Sequence, residues 1–253
     1  MTPEIPGYLL AFESTVRPLV AAIALGLIWM GAARMEGPPQ SRYTTAGALS
    51  VTLIAWLAVA QYLGSANTYF ATAETAVPTV LLGLLLPLII AAVGLWRSRN
   101  IASLVGAKPL SWLVAAQVYR VGGGIFLVLL ADGRLPWQFA LPAGIGDVTT
   151  GFVAVVAAAL LAQKAAGARR AAYGWCLFGI ADLVVAITMG AMTSPGRAHL
   201  LAFETPNLLI RSYPLVMVPT FAVPLALMLH GLVLWRLRRQ GRPTGRLAVA
   251  SLA

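Results

Sequence analysis

Apolar residues run along this chain in seven long blocks, each closed by a short polar turn. The blocks fall at about 8–33, 44–63, 78–96, 109–131, 135–163, 171–193 and 211–235. A helix needs roughly 20 mostly apolar residues to cross a hydrocarbon core of about 30 Å. Runs near that length fill almost the whole sequence, so the pattern predicts an all-α membrane protein. The expected architecture is one domain over 1–253, a bundle of seven transmembrane helices ending in a basic tail from residue 236. Breaker clusters such as Gly37-Pro38-Pro39 and Asp132-Gly133-Arg134 sit where the blocks end.

Composition supports this class. The 253 residues are 59% hydrophobic and 10% charged, against roughly 25% charged in soluble domains. The net charge of +10 would suit nucleic acid if it formed one face, but the cations cluster at alternate helix ends instead. The first, third and fifth loops and the tail hold 13 Lys and Arg, and the N-terminus and remaining loops hold 3. By the positive-inside rule the N-terminus is expected outside and the C-terminus in the cytoplasm. Nucleic acid is not an expected partner. The tail arginines Arg236, Arg238, Arg239, Arg242 and Arg246 are expected to anchor to anionic lipid. Arginine far outnumbers lysine and the N-terminus lacks early cations, which suits a bacterial inner-membrane protein without a cleavable signal. Cys176 is the only cysteine, so no intramolecular disulfide forms.

Three charged residues lie deep within spans. Arg120 is 11 residues from the start of the fourth span and Asp182 is 11 from the start of the sixth, each about 16 Å deep at 1.5 Å per residue. Asp147, 12 residues into the fifth, lies about 18 Å from the opposite side. All three therefore approach the midplane, and short loops make their helices neighbours. Small residues flank them on expected helical stripes: Gln117, Arg120 and Gly124; Gly144, Asp147 and Gly151 with Thr150 alongside; Gly179, Asp182 and Ala186. Such stripes let membrane helices pack closely. Gly122-Gly123-Gly124 and Pro142 are expected to break the fourth and fifth helices near mid-depth, where transporters build binding sites. A charge there needs a partner, and Arg120 between two carboxylates supplies one. Full ionisation would leave a net charge of −1, which low dielectric disfavours, so one aspartate is expected to hold a proton. Gln117 and Thr150 would orient a substrate. A purely structural ion-pair staple is the competing reading.

The seventh span carries Pro214, Pro219 and Pro224, then His230. Prolines kink a span and free carbonyls, so Pro219 and Pro224 are candidate gate elements and His230, placed near the cytoplasmic end, a candidate relay. The bland alternatives are a bent packing helix and an interfacial histidine. Glu13 and Arg17, four apart, can pair along one helix face or line a vestibule with Glu74 or Arg211. No cofactor is expected. His199 and His230 lie at opposite ends and cannot flank one haem iron, which leaves only a single-His haem at His230. Retinal is not expected, because the seventh span has no lysine and Lys108 and Lys164 sit in loops.

Gln117-x-Tyr119-Arg120, Pro142-Ala143-Gly144-x-Gly146-Asp147 and Tyr213-Pro214 with Pro219 and Pro224 together resemble an uncharacterised group of bacterial multi-span membrane proteins. The resemblance covers about the C-terminal half and brings no function with it. The first functional expectation is transport or permeation of a small solute, coupled to protons at the Arg/Asp/Asp cluster. The alternative is a heptahelical sensor or a non-catalytic subunit of a larger membrane complex, with homo-oligomers also open. A membrane-embedded, cofactor-binding protein or enzyme ranks third, since the sequence contains no HExxH or Gly-x-Ser-x-Gly motif.

Overall fold

A computed structural model of the chain describes residues 3–70 and 79–240, and these are all-helical in their regular structure. Among the described residues, seven helical spans are long and apolar enough to cross a membrane, marking a multi-pass membrane protein. They are α1 (Gly7–Arg34), α2 (Pro39–Ser65), α3 (Thr79–Arg97), a composite fourth span (Leu110–Ala131), α7 (Trp137–Ala162), α8 (Ala168–Thr193) and a seventh span over Val218–Arg239. Pro6, Pro38, Pro109 and Pro136 each stand just before a helix start in extended conformation. Proline suits that place because its fixed φ and missing N–H cost nothing before the first turn.

Short α4 (Arg99–Gly106), in what the sequence pattern presents as a loop, is capped by the Ser98 hydroxyl, which accepts from the Ile101 N–H at 3.3 Å. It tucks against α1, where Gly31 comes so near Leu104 that a Cβ would lie 2.9 Å from its carbonyl oxygen. The second span begins at Pro39 rather than residue 44, shortening the first loop.

The fourth span changes character twice. It begins as α5 (Leu110–Ala115), continues as a nine-residue 3₁₀ stretch over Ala116–Gly124 and ends as α6 (Ile125–Ala131). Runs of 3₁₀ helix beyond three or four residues are uncommon. Pro142, by contrast, does not break the fifth span: α7 is continuous from Trp137 to Ala162. Pro142 falls in the second turn, so only a carbonyl near the helix start lacks its donor.

The seventh span also differs from the pattern. Residues 212–216 form a bend and turns, including a cis Tyr213-Pro214 peptide, and the helix opens with a π turn at Val218–Ala222 before α9 (Val223–Gln240). Pro214 therefore precedes the helix, and Pro219 and Pro224 occupy its first turns instead of kinking its interior. Pro224 has no N–H to offer the Thr220 carbonyl, and the Trp56 indole donates to that oxygen at 3.1 Å.

Helix α7 packs most closely against α8 and the fourth span, α9 packs against α8 and α3, and α1 pairs with α2. The outward faces are apolar. On α3, Leu82, Leu86, Ile89 and Trp96 are exposed, as expected for a span that turns to lipid.

Candidate functional site

The 3₁₀ stretch sets the geometry of the polar centre. With three residues per turn it aligns residues i, i+3 and i+6, so Gln117, Arg120 and Gly123 form the stripe. An α-helical spacing would have put Gly124 there. Gly123 is the residue that meets Asp147, with no room for a Cβ between them, whereas Gly124 faces Val148 at ordinary contact distance.

Arg120 is 3% exposed and bridges both aspartates. Its Nε donates to Asp147 Oδ1 at 2.7 Å, and Nη2 pairs with Asp147 Oδ1 at 2.6 Å and with Asp182 Oδ2. Its Nη1 donates to the Gly179 carbonyl at 3.3 Å and faces His230 Nε2, also at 3.3 Å. The expected meeting of Arg120 with the two aspartates is thus direct, across three spans. A guanidinium fork with five donors is suited to hold two carboxylates at once.

His230 belongs to this cluster rather than to an interface. The later start of the seventh span places it 12 residues into the helix, about 18 Å along it, and it is fully buried. Guanidinium is only a donor, so His230 Nε2 accepts and the ring proton sits on Nδ1. Nδ1 faces Cys176 Sγ at 3.3 Å, and that thiol donates to the His230 carbonyl at 3.3 Å. Trp175 packs against the ring in a tilted arrangement, 4.7 Å between centroids, and its indole donates to the Thr150 carbonyl at 3.0 Å. Cys176 was not expected here. Its place three residues before Gly179 puts it on the same face of α8, a signal readable only once α9 is in register. A thiol this deeply buried behaves as a packing group.

Glycines seat the cluster. Gly146 on α7 faces the Asp182 carboxylate too closely for any Cβ, and a Cβ at Gly179 would lie 2.5 Å from the His230 ring. Gly144 and Gly151 instead receive Leu127 and Val121 from the fourth span, so α7 is notched on two faces.

Gln117 and Thr150 are fully buried and are not among the residues lining the cavity that Arg120 and Asp147 share. Gln117 Nε2 donates to the Ala226 carbonyl at 2.9 Å, and the Tyr119 hydroxyl donates to the Ala222 carbonyl at 3.1 Å. The fourth span is thereby stitched to the irregular start of the seventh. Gln117 Oε1 and Thr150 Oγ1 have no hydrogen-bond partner among the described residues.

Arg120 and Asp147 open onto a cavity of about 60 Å³ between α1, the fourth span and the seventh. Glu13, Arg17 and Tyr119 also line it; Asp182 does not. The Asp147 side chain is 16% exposed and that of Asp182 is 6%, so the carboxylates differ in access. Glu13 and Arg17 are not ion-paired with each other among the described residues. Arg17 Nη1 instead donates to the Tyr213 hydroxyl at 3.1 Å. Arg211 lies elsewhere, bonded to the Pro195 carbonyl, and Glu74 falls outside the described residues. No group of three or more potential metal ligands gathers among the described residues.

No curated protein and no solved structure matches the chain. The domain-of-unknown-function family DUF8737 matches residues 77–238, a region that contains Arg120, Asp147, Cys176, Asp182 and His230 but neither Glu13 nor Arg17. With well over half its length matched, the chain belongs to the DUF8737 family.

Proposed function

We propose that the protein carries or admits a small solute across the bacterial inner membrane, coupled to protons at Asp147 and Asp182, with its N-terminus outside and its C-terminus cytoplasmic. The observation that carries this reading is the unequal access of two carboxylates held by one arginine: Asp147 faces the cavity while Asp182 is closed off from it. Arg120 with two ionised aspartates bears a net charge of −1 in a setting that disfavours it. A proton on one carboxylate relieves this, and Asp147 is the one water reaches. An intramembrane ionisable group is by default part of a substrate or proton path. The 3₁₀ stretch and the π turn are local departures from α-helix of a kind often found at functional hinges. The orientation rests on the 13 to 3 distribution of Lys and Arg. Haem at His230 has little in its favour, since both ring nitrogens are engaged by Arg120 and Cys176.

The test uses purified protein in liposomes loaded with a pH-sensitive dye and given a pH gradient. Wild type should dissipate the gradient faster than Asp147→Asn. Equal decay in wild type, Asp147→Asn and Asp182→Asn would remove proton coupling from this site.

A second reading, a sensor or a non-catalytic subunit in which the cluster is a packing staple, is favoured by the size of the cavity. Small-molecule sites usually enclose about 300–1,000 Å³, against about 60 Å³ here. Gentle extraction followed by mass measurement separates the two: a stable assembly with other chains favours the subunit.

A further inference from the structure

Glu13 is 6% exposed on α1 and has no ion-pair partner among the described residues. It lines the same cavity as Asp147. We infer that Glu13 is the proton-accepting residue on the access side of this cavity and passes protons through cavity water to Asp147. The inference rests on the proton-coupled reading above and names the route by which protons reach that site.

Size decides what the cavity can conduct. A water needs about 10–15 Å³ of such space, so about 60 Å³ holds a few waters and no sizeable solute. A short water chain moves protons without further room. Two glycines of the fourth span, Gly122 and Gly123, line the cavity without side chains of their own. Gly122 faces the Phe12 ring, 3.4 Å from where a Cβ would stand, and Gly123 meets Asp147.

The groups around Glu13 leave it available. On its own helix Arg17 is engaged by the Tyr213 hydroxyl. The fourth span presents Tyr119, whose hydroxyl is committed to the Ala222 carbonyl, and Arg120, committed to the aspartates. Helix α7 presents Asp147; α8 and the seventh span contribute apolar lining such as Leu183 and Phe221. The transfer balances simply. The Glu13 carboxyl gives its proton to cavity water, the far end of the water chain protonates the Asp147 carboxylate, and Glu13 regains a proton from bulk water.

Infrared spectroscopy of the reconstituted protein tests this, with the Asp147 carboxyl bands assigned by difference from Asp147→Asn. After a pH jump on the N-terminal side, Asp147 should follow at least tenfold more slowly in Glu13→Gln than in wild type, and Glu13→Asp should recover much of the rate. An unchanged rate in Glu13→Gln overturns the role of Glu13 while leaving Asp147 as the proton site. If Asp147 in wild type does not titrate at any pH the protein tolerates, the proton-coupled reading itself falls. Should Glu13→Gln not reconstitute, Val16→Cys carrying a bulky uncharged maleimide reads the same step. Cys176 is fully buried and does not compete for label. Plugging the cavity should slow the response, and an unaltered response counts against the route.

Discussion

Gly146 and Asp182 stand so close across the α7–α8 contact that a single methyl group on Gly146 would occupy the space of the Asp182 carboxylate. The carboxylate cannot yield freely, because Arg120 holds it from the other side. Overpacking a tight site costs about 1–3 kcal/mol. Gly146→Ala should therefore lower stability by that order in a detergent-based unfolding assay. Gly174→Ala on α8, where nothing lies within 4 Å, should leave it unchanged or slightly raised. Equal effects from the two would mean that the Gly146 seat is not tight.

Charge bookkeeping around Arg120 predicts a non-additive series. Asp147→Asn or Asp182→Asn alone leaves Arg120 one carboxylate and brings the ionised cluster to neutrality, so each should fold. The double variant leaves a guanidinium that is 3% exposed without a counter-charge, and breaking a buried pair in this way costs about 3–5 kcal/mol. Its loss should exceed the sum of the single losses when unfolding is followed by circular dichroism. Simple additivity would argue against one shared cluster.

The Trp56 indole and Pro224 meet at the Thr220 carbonyl. Trp56→Phe removes the donor and should cost about 1–2 kcal/mol. Pro224→Ala restores an N–H that can serve the same oxygen, so Trp56→Phe should cost less in that background. A double-mutant cycle measures the coupling, and a coupling near zero would show that the indole bond is incidental.

Lys108 lies between α4 and the fourth span, 4% exposed, and burial, with Arg236 nearby, lowers its pKa to about 8. The folded pKa lies below the unfolded value of about 10.4, so the unfolded chain binds more protons across that interval. Stability should therefore rise as pH increases from about 8 toward 10. Below pH 8 the full penalty of holding a buried cation remains. Unfolding at pH 7 and pH 9.5 should show this rise in wild type, and Lys108→Met should lose it. A rise of the same size in Lys108→Met would assign it to another group.

The sequence made the class and the meeting of three charges legible because both follow from the cost of polar groups in hydrocarbon. Arg120, Asp147 and Asp182 stand out among apolar neighbours, and counting from span ends locates them. Counting the seventh span from Arg211 puts His230 near its far end, away from the midplane. The prolines held the correction: proline favours a first turn, so Pro219 and Pro224 mark a helix starting near them, which carries His230 to mid-depth. Gly123 and Gly124 could not be distinguished by an α-helical stripe, since a 3₁₀ segment is set by tertiary packing rather than by local pattern. Ser98 followed by Ile101 was a readable N-cap signal for α4. Cys176 carried no signal until its neighbour on α9 was in register.

A 3₁₀ helix advances about 2.0 Å and turns 120° per residue, against 1.5 Å and 100° in an α-helix. The segment Ala116–Gly124 is therefore a screw thread of different pitch spliced into a rod. Converting three of its residues to α geometry would shorten the rod by about 1.5 Å and rotate one end against the other by about 60°. A side chain on that thread that bonds two helices at once, as Arg120 does with α7 and α8, changes its aim between them under so small a turn.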